Sequence, residues 1–135
     1  MNELVKSNPS LMRFCVIAGS LLMFLAIMLG AFGTHLLQDR LDPARLASFR
    51  SGVLYQQLHA LGLILLGAIA AVSGESGSLR WSARLMLVGI LFFSGSIYLM
   101  TAGLSRSFGM IAPIGGLSFM LAWLLLAQHA WRIRA

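Results

Sequence analysis

Four stretches of this chain run for twenty residues or more without a charged side chain: 14–33, 53–73, 85–105 and 107–131. At about 1.5 Å per helical residue each is long enough to cross a hydrocarbon core of roughly 30 Å. Lipid leaves no water to satisfy a bare peptide group, so a spanning segment of this length forms a helix. Only 10% of the chain is charged and 59% is hydrophobic, against roughly 25% charged in soluble domains. A soluble core of 135 residues cannot hide that apolar surface. The expected fold is all-α: a four-transmembrane-helix bundle, up-down, in a single membrane domain over 1–135, with spans near 12–33, 53–73, 84–105 and 109–131.

Charge excludes other classes. The net charge of +6 comes from basic residues scattered singly between apolar runs, with no basic face, so no nucleic acid partner is expected. The lipid bilayer is the expected partner. Cys15 is the only cysteine, so no intrachain disulfide or thiolate metal site is available. Lys6 and Arg13 precede the first apolar run as in a signal peptide, but 14–33 exceeds the roughly 7–15 residues of a signal core and reads as a retained span. Six basic residues (Lys6, Arg13, Arg80, Arg84, Arg132, Arg134) flank one side of the spans, and four (Arg40, Arg45, Arg50, Arg106) flank the other. That bias places both termini in the cytoplasm.

Local signals refine the spans. Asn8-Pro9-Ser10 reads as a turn or helix start. In the first span Ala26, Gly30 and Thr34 form a small-residue line that admits a neighbouring helix. Asp42-Pro43 is a helix start, with an N-cap carboxylate followed by a proline in the first turn. Leu46, Phe49 and Val53 then share a side, which suggests a short interfacial helix between spans one and two. Glycine and serine at 74–78 mark a turn. Gly30, Gly33, Gly95, Pro113, Gly115 and Gly116 are the candidate helix-packing positions.

Polar residues inside spans face the bundle interior. The up-down order brings four polar or glycine-rich patches to one depth: G-A-F-G-T-H at 30–35, Y-Q-Q-L-H-A at 55–60, F-S-G-S-I-Y at 93–98 and P-I-G-G at 113–116. Gly52, Tyr55, Gln56 and His59 follow helical spacing. The expectation is one inter-helix cluster of His35, Tyr55, Gln56, His59, Ser94 and Tyr98, beside Pro113 and Gly116. At the other depth only Gln128 and His129 stand out.

These four ordered motifs resemble the YgdD-like integral membrane proteins, a family catalogued as domain of unknown function 423, among the UPF-type small membrane proteins. The resemblance runs from about Phe14 to near the end of the chain. Thr34 stands where that family leads one to expect a smaller residue. The resemblance implies a four-helix protein, in bacteria one of the inner membrane, and brings with it no activity, cofactor or catalytic residue.

The cluster fits two roles. Its hydrogen bonds can hold the bundle together in a structural, accessory or assembly component, alone, as a homo-oligomer or within a larger membrane complex. Alternatively it binds or transports a small molecule: a lipid headgroup, a quinone or a metal. His35 and His59 on different helices make a haem or metal pair conceivable, but two histidines are a thin shell and no span carries a carboxylate. No metal site and no resident cofactor are therefore predicted. Ser94 or Ser96 with a histidine lacks a carboxylate to orient the base. No catalytic residue is predicted, and the protein is not read as an enzyme.

Overall fold

The computed structural model describes residues 10–133. Four helices long and apolar enough to span a membrane follow one another: α1 (Ser10–Leu37), α2 (Pro43–Ser73), α3 (Gly77–Thr101) and α4 (Arg106–Arg132). Short connections make neighbours antiparallel, giving the up-down bundle. The helices hold 28, 31, 25 and 27 residues. At 1.5 Å per residue they are roughly 38–46 Å long, so their ends stand beyond the hydrocarbon. Asn8, Pro9, Lys6 and Arg134, which entered the helix-start and charge-bias arguments, lie outside the described residues.

The predicted helix start at Asp42-Pro43 is present. The Asp42 carboxylate accepts the Arg45 amide at 3.0 Å, and Pro43 occupies the first turn, where a missing N–H costs nothing. The segment after it is not a separate interfacial helix, however. It forms the first turns of α2, unbroken to Ser73. Phe49 explains why: it is buried, with its ring against Gly33 at the far end of α1. That contact draws the segment into the bundle.

α2 is the central helix. Half of its apolar window is buried, against 17% for α1. α1 packs on α2 through Leu11, Cys15, Gly19 and Ala26, the last on the small-residue line read from sequence. A Cβ on Gly19 would stand 2.7 Å from the Ala60 carbonyl oxygen, so glycine there lets the two backbones touch. α3 and α4 form a second close pair. There the Phe119 ring occupies the space a Gly89 side chain would need, and Gly115 lies against the backbone at Phe93 and Gly89. Leu63, Leu66, Leu79, Met86, Ile90 and Phe119 fill the core between α2, α3 and α4. Phe14, Leu21, Phe24 and Phe32 on α1 face outward, as hydrocarbon permits.

Two helices carry a wider π turn, at Leu29–Gly33 in α1 and Ile90–Ser94 in α3. α4 opens with a 3-10 turn, Arg106–Met110, and is α-helical from Ala112. Pro113 therefore sits in the first α-helical turn and frees no carbonyl within the span. Among the predicted packing glycines, Gly30, Gly33 and Gly115 meet a neighbouring helix. A Cβ on Gly116 would meet nothing within 4 Å, and one on Gly95 would meet only the Ile90 carbonyl of its own helix at 3.9 Å. Helical phase is the reason: successive residues are about 100° apart, so Gly115 faces α3 and its neighbour Gly116 faces out.

This adjacent pair is a test of packing. Gly115→Ala should destabilise by about 1–3 kcal/mol, the usual cost of overpacking. Gly116→Ala should be neutral or gain up to about 1 kcal/mol from helix propensity. Thermal unfolding in detergent distinguishes the two.

Candidate functional site

The polar residues predicted to gather at one depth divide into two networks, each tying different helices. In the first, the Gln56 side-chain amide donates to the Leu22 carbonyl of α1 at 2.8 Å. Its carbonyl oxygen accepts the Tyr98 hydroxyl of α3 at 2.8 Å. A backbone carbonyl only accepts, which fixes the amide orientation. One side chain thus links three spans. Beside it the fully buried Ser94 hydroxyl donates to the Gly52 carbonyl at 2.7 Å.

The second network joins α2 to α4. Trp123 Nε1–H donates to His59 Nε2 at 3.0 Å. His59 Nδ1 lies 2.7 Å from the Tyr55 carbonyl. Indole nitrogen only donates and a carbonyl only accepts, so the imidazole carries its proton on Nδ1 and both ring nitrogens are engaged. The ring stacks on Phe119 with centroids 3.5 Å apart and planes at 12°. Tyr55 packs its ring on Phe93, 4.6 Å between centroids, and is partly exposed.

Helical phase separates the networks. Gln56 lies about 100° round α2 from Tyr55 and about 60° from His59. One broad polar face therefore reaches three neighbours, α1 and α3 through Gln56 and α4 through His59. His35 joins neither network. It is exposed near the end of α1, and its ring bonds to no other described residue. His59 has both ring nitrogens engaged and stacks on Phe119 of α4, while His35 stands exposed near the end of α1, so the two imidazoles are not brought together as a haem or metal pair. Among the described residues no three His, Cys, Asp or Glu side chains gather as metal ligands. Ser96 donates to the Phe93 carbonyl at 2.9 Å. Both serines considered as nucleophiles thus face backbone carbonyls rather than an imidazole.

The opposite end of the bundle is richer than its sequence suggested. His129 sits between two hydroxyls, with Nε2 2.9 Å from Ser73 Oγ and Nδ1 2.9 Å from Ser76 Oγ. Ser76 also caps α3, accepting the Leu79 amide at 3.2 Å. Ser78 donates to Gln128 at 3.1 Å. Glu75 accepts the Leu11 amide at 2.8 Å, capping α1 from a distant loop. Its other oxygen takes Arg80 Nη2 at 2.7 Å. The Leu11 amide, and then the Arg80 guanidinium, hold the Glu75 carboxyl below its ordinary range. Trp123, Glu75 and Ser76 were missed as structural partners. The signal available was their chemistry: an indole N–H in lipid needs an acceptor, and a lone carboxylate beside Arg80 needs a donor set.

Between α1 and α3, above the Gln56–Tyr98 pair, runs an apolar groove of about 600 Å³. Leu29 and Phe32 from the first π turn and Ile90 and Leu91 from the second line its walls. The wider turns flank the groove on both sides.

This is a four-span membrane bundle whose interior polar groups tie helix to helix. The profile of the family described as "Protein of unknown function (DUF423)" matches residues 29–116. A UPF0382 membrane protein of Staphylococcus epidermidis is 37% identical over 115 residues, covering 85% of this chain and 93% of that one. UPF0382 membrane protein YwdK of Bacillus subtilis is 35% identical over 119 residues, 88% of this chain and 97% of that one. UPF0382 inner membrane protein YgdD of Escherichia coli K12 is 31% identical over 122 residues, 90% of this chain and 92% of that one. The chain belongs to this family of membrane proteins of unknown role, as its motifs suggested. No solved structure matches it.

If the networks are separate, Gln56→Leu and Tyr98→Phe should be non-additive, with a coupling of about 0.6 kcal/mol and at most about 1.7. Tyr98→Phe and Trp123→Phe should instead add independently. Double-mutant cycles by thermal unfolding measure both. Glu75 sets a pH dependence with a definite sign. Its folded-state pKa is depressed, so its stabilisation is present above the unfolded carboxyl pKa and lost as pH falls through the folded one. The protection of the Leu11 amide, its intrinsic exchange rate over the observed rate at each pH, should therefore fall on acidification. Glu75→Gln should start with lower protection and flatten that fall.

Proposed function

We propose that the chain is a structural or accessory component of the bacterial inner membrane, with both termini cytoplasmic. The observation that carries this reading is the engagement of the interior polar side chains. Gln56, His59, Ser82 and Ser94 each bond within the protein, mostly from one span to another. Such bonds hold bundles together in lipid. The membrane assignment draws support from the name of the Escherichia coli relative. The orientation rests on the basic-residue bias. A component of this kind works through neighbours, as a homo-oligomer or within a larger membrane complex, using the outward apolar faces of α1.

Crosslinking in native membranes followed by mass analysis tests the proposal. The expected result is one fixed-stoichiometry assembly, with His59→Ala lowering thermal stability. A chain that crosslinks to nothing, and holds a stoichiometric small molecule lost on Gln56→Leu without loss of stability, would sink it. That second outcome is the mark of the other reading, a binding protein for an apolar molecule. The α1–α3 groove favours it through apolar walls above an amide–phenol pair.

A further inference from the structure

The end of the bundle where α2 begins, α3 ends and α4 begins contains a cleft of about 410 Å³ that neither polar network uses. Arg45 from α2 and Arg106 from the start of α4 both line it, with Asp42, Thr101, Ile97 and Met100 beside them. Positive charge is in excess. The one carboxylate, Asp42, already accepts the Arg45 backbone amide. Among the described residues neither guanidinium is in an ion pair, and the ion pair found there is Arg80–Glu75.

Arg45 is also badly placed for helix stability. It occupies the first turn of a 31-residue helix, where the macrodipole favours anions and disfavours cations. A cation held there, facing a second one across a cleft, is explained by an anion between them. The cleft lies at the membrane boundary, because three spans start or stop at it. Its lining sets the two guanidiniums beside the thioether of Met100 and the aliphatic carbon of Ile97. That combination matches a phospholipid, whose phosphate adjoins its acyl chains.

We propose that Arg45 and Arg106 form a phosphate site that holds the headgroup of an anionic phospholipid. Guanidinium forks bind phosphate oxygens in pairs, which an ammonium cannot. Ile97 and Met100 receive the upper part of an acyl chain. Basic pockets between transmembrane helices are known to take headgroups by the same physics. The site is independent of the structural role proposed above.

The test uses the full chain, purified in detergent and incubated with phosphatidylglycerol or phosphatidylcholine. Intact-complex mass spectrometry reads the retained lipid. Arg45→Gln/Arg106→Gln is compared with Arg40→Gln/Arg50→Gln, which removes the same charge outside the cleft. Phosphatidylglycerol should be retained over phosphatidylcholine. The cleft variant should lose about tenfold in retention, the loss of charge-assisted contacts, and the control should stay near wild type. Equal losses in both variants, or none in either, overturn the site. Thermal unfolding confirms that each variant folds, and Arg45→Lys/Arg106→Lys should recover only part of the binding. Full recovery would overturn the paired-fork contact. A stabilisation by inorganic phosphate that needs both arginines, with neither lipid retained, would overturn the lipid assignment in favour of a free anion.

Discussion

In hydrocarbon an apolar side chain gains nothing by exchanging lipid for a neighbouring helix, so spans cohere by close backbone approach and by hydrogen bonds that lipid cannot supply. The whole bundle depends on that constraint. It explains why glycine lies where α1 meets α2 and where α3 meets α4. It also explains why Gln56, a poor choice for a lipid-facing helix, sits at the centre. Its amide has two donors and its oxygen two acceptor sites, enough to reach α1 and α3 at once.

The same constraint orders the two ends differently. Toward the α2 start the bonds run between uncharged groups inside the spans, and they fix which helix faces which. At the other end Glu75, Ser73, Ser76 and His129 lie at or beyond the span termini. Water is near, so a charge is tolerated, and the loop between α2 and α3 becomes a clasp for the start of α1 and the end of α4. Loops are seldom so committed to holding a fold. Here the clasp supplies contacts to α1, whose main packing partner is α2.

Much of this was readable from residues. The spans followed from uncharged length, the α2 start from Asp42-Pro43, and the α1 packing face from Ala26 and its small neighbours. The division of the polar cluster was not readable. Tyr55, Gln56 and His59 share a face by spacing, yet that face is wide enough to touch three helices, and only the placement of α1, α3 and α4 decides which residue meets which. The position of His35 shows the same limit. A shared depth in the membrane says nothing about the angle round the bundle. The partnership of Glu75 with Leu11 spans 64 positions in the chain, and no local pattern announces a contact that distant.

The sequence by itself determined that this chain is a four-span membrane bundle, because the cost of a bare peptide group or charge in lipid depends on composition and length alone. Its four motifs also pointed to the family. Tertiary structure decided everything that depends on rotation about a helix axis: that Gly115 packs and Gly116 does not, that Gln56 serves α1 and α3 while His59 serves α4, and that Arg45 and Arg106 share a cleft. Hydrophobicity sets how deep a helix sits but is nearly indifferent to how it turns. Close packing and hydrogen-bond geometry set the turn, and both exist only once the helices have met.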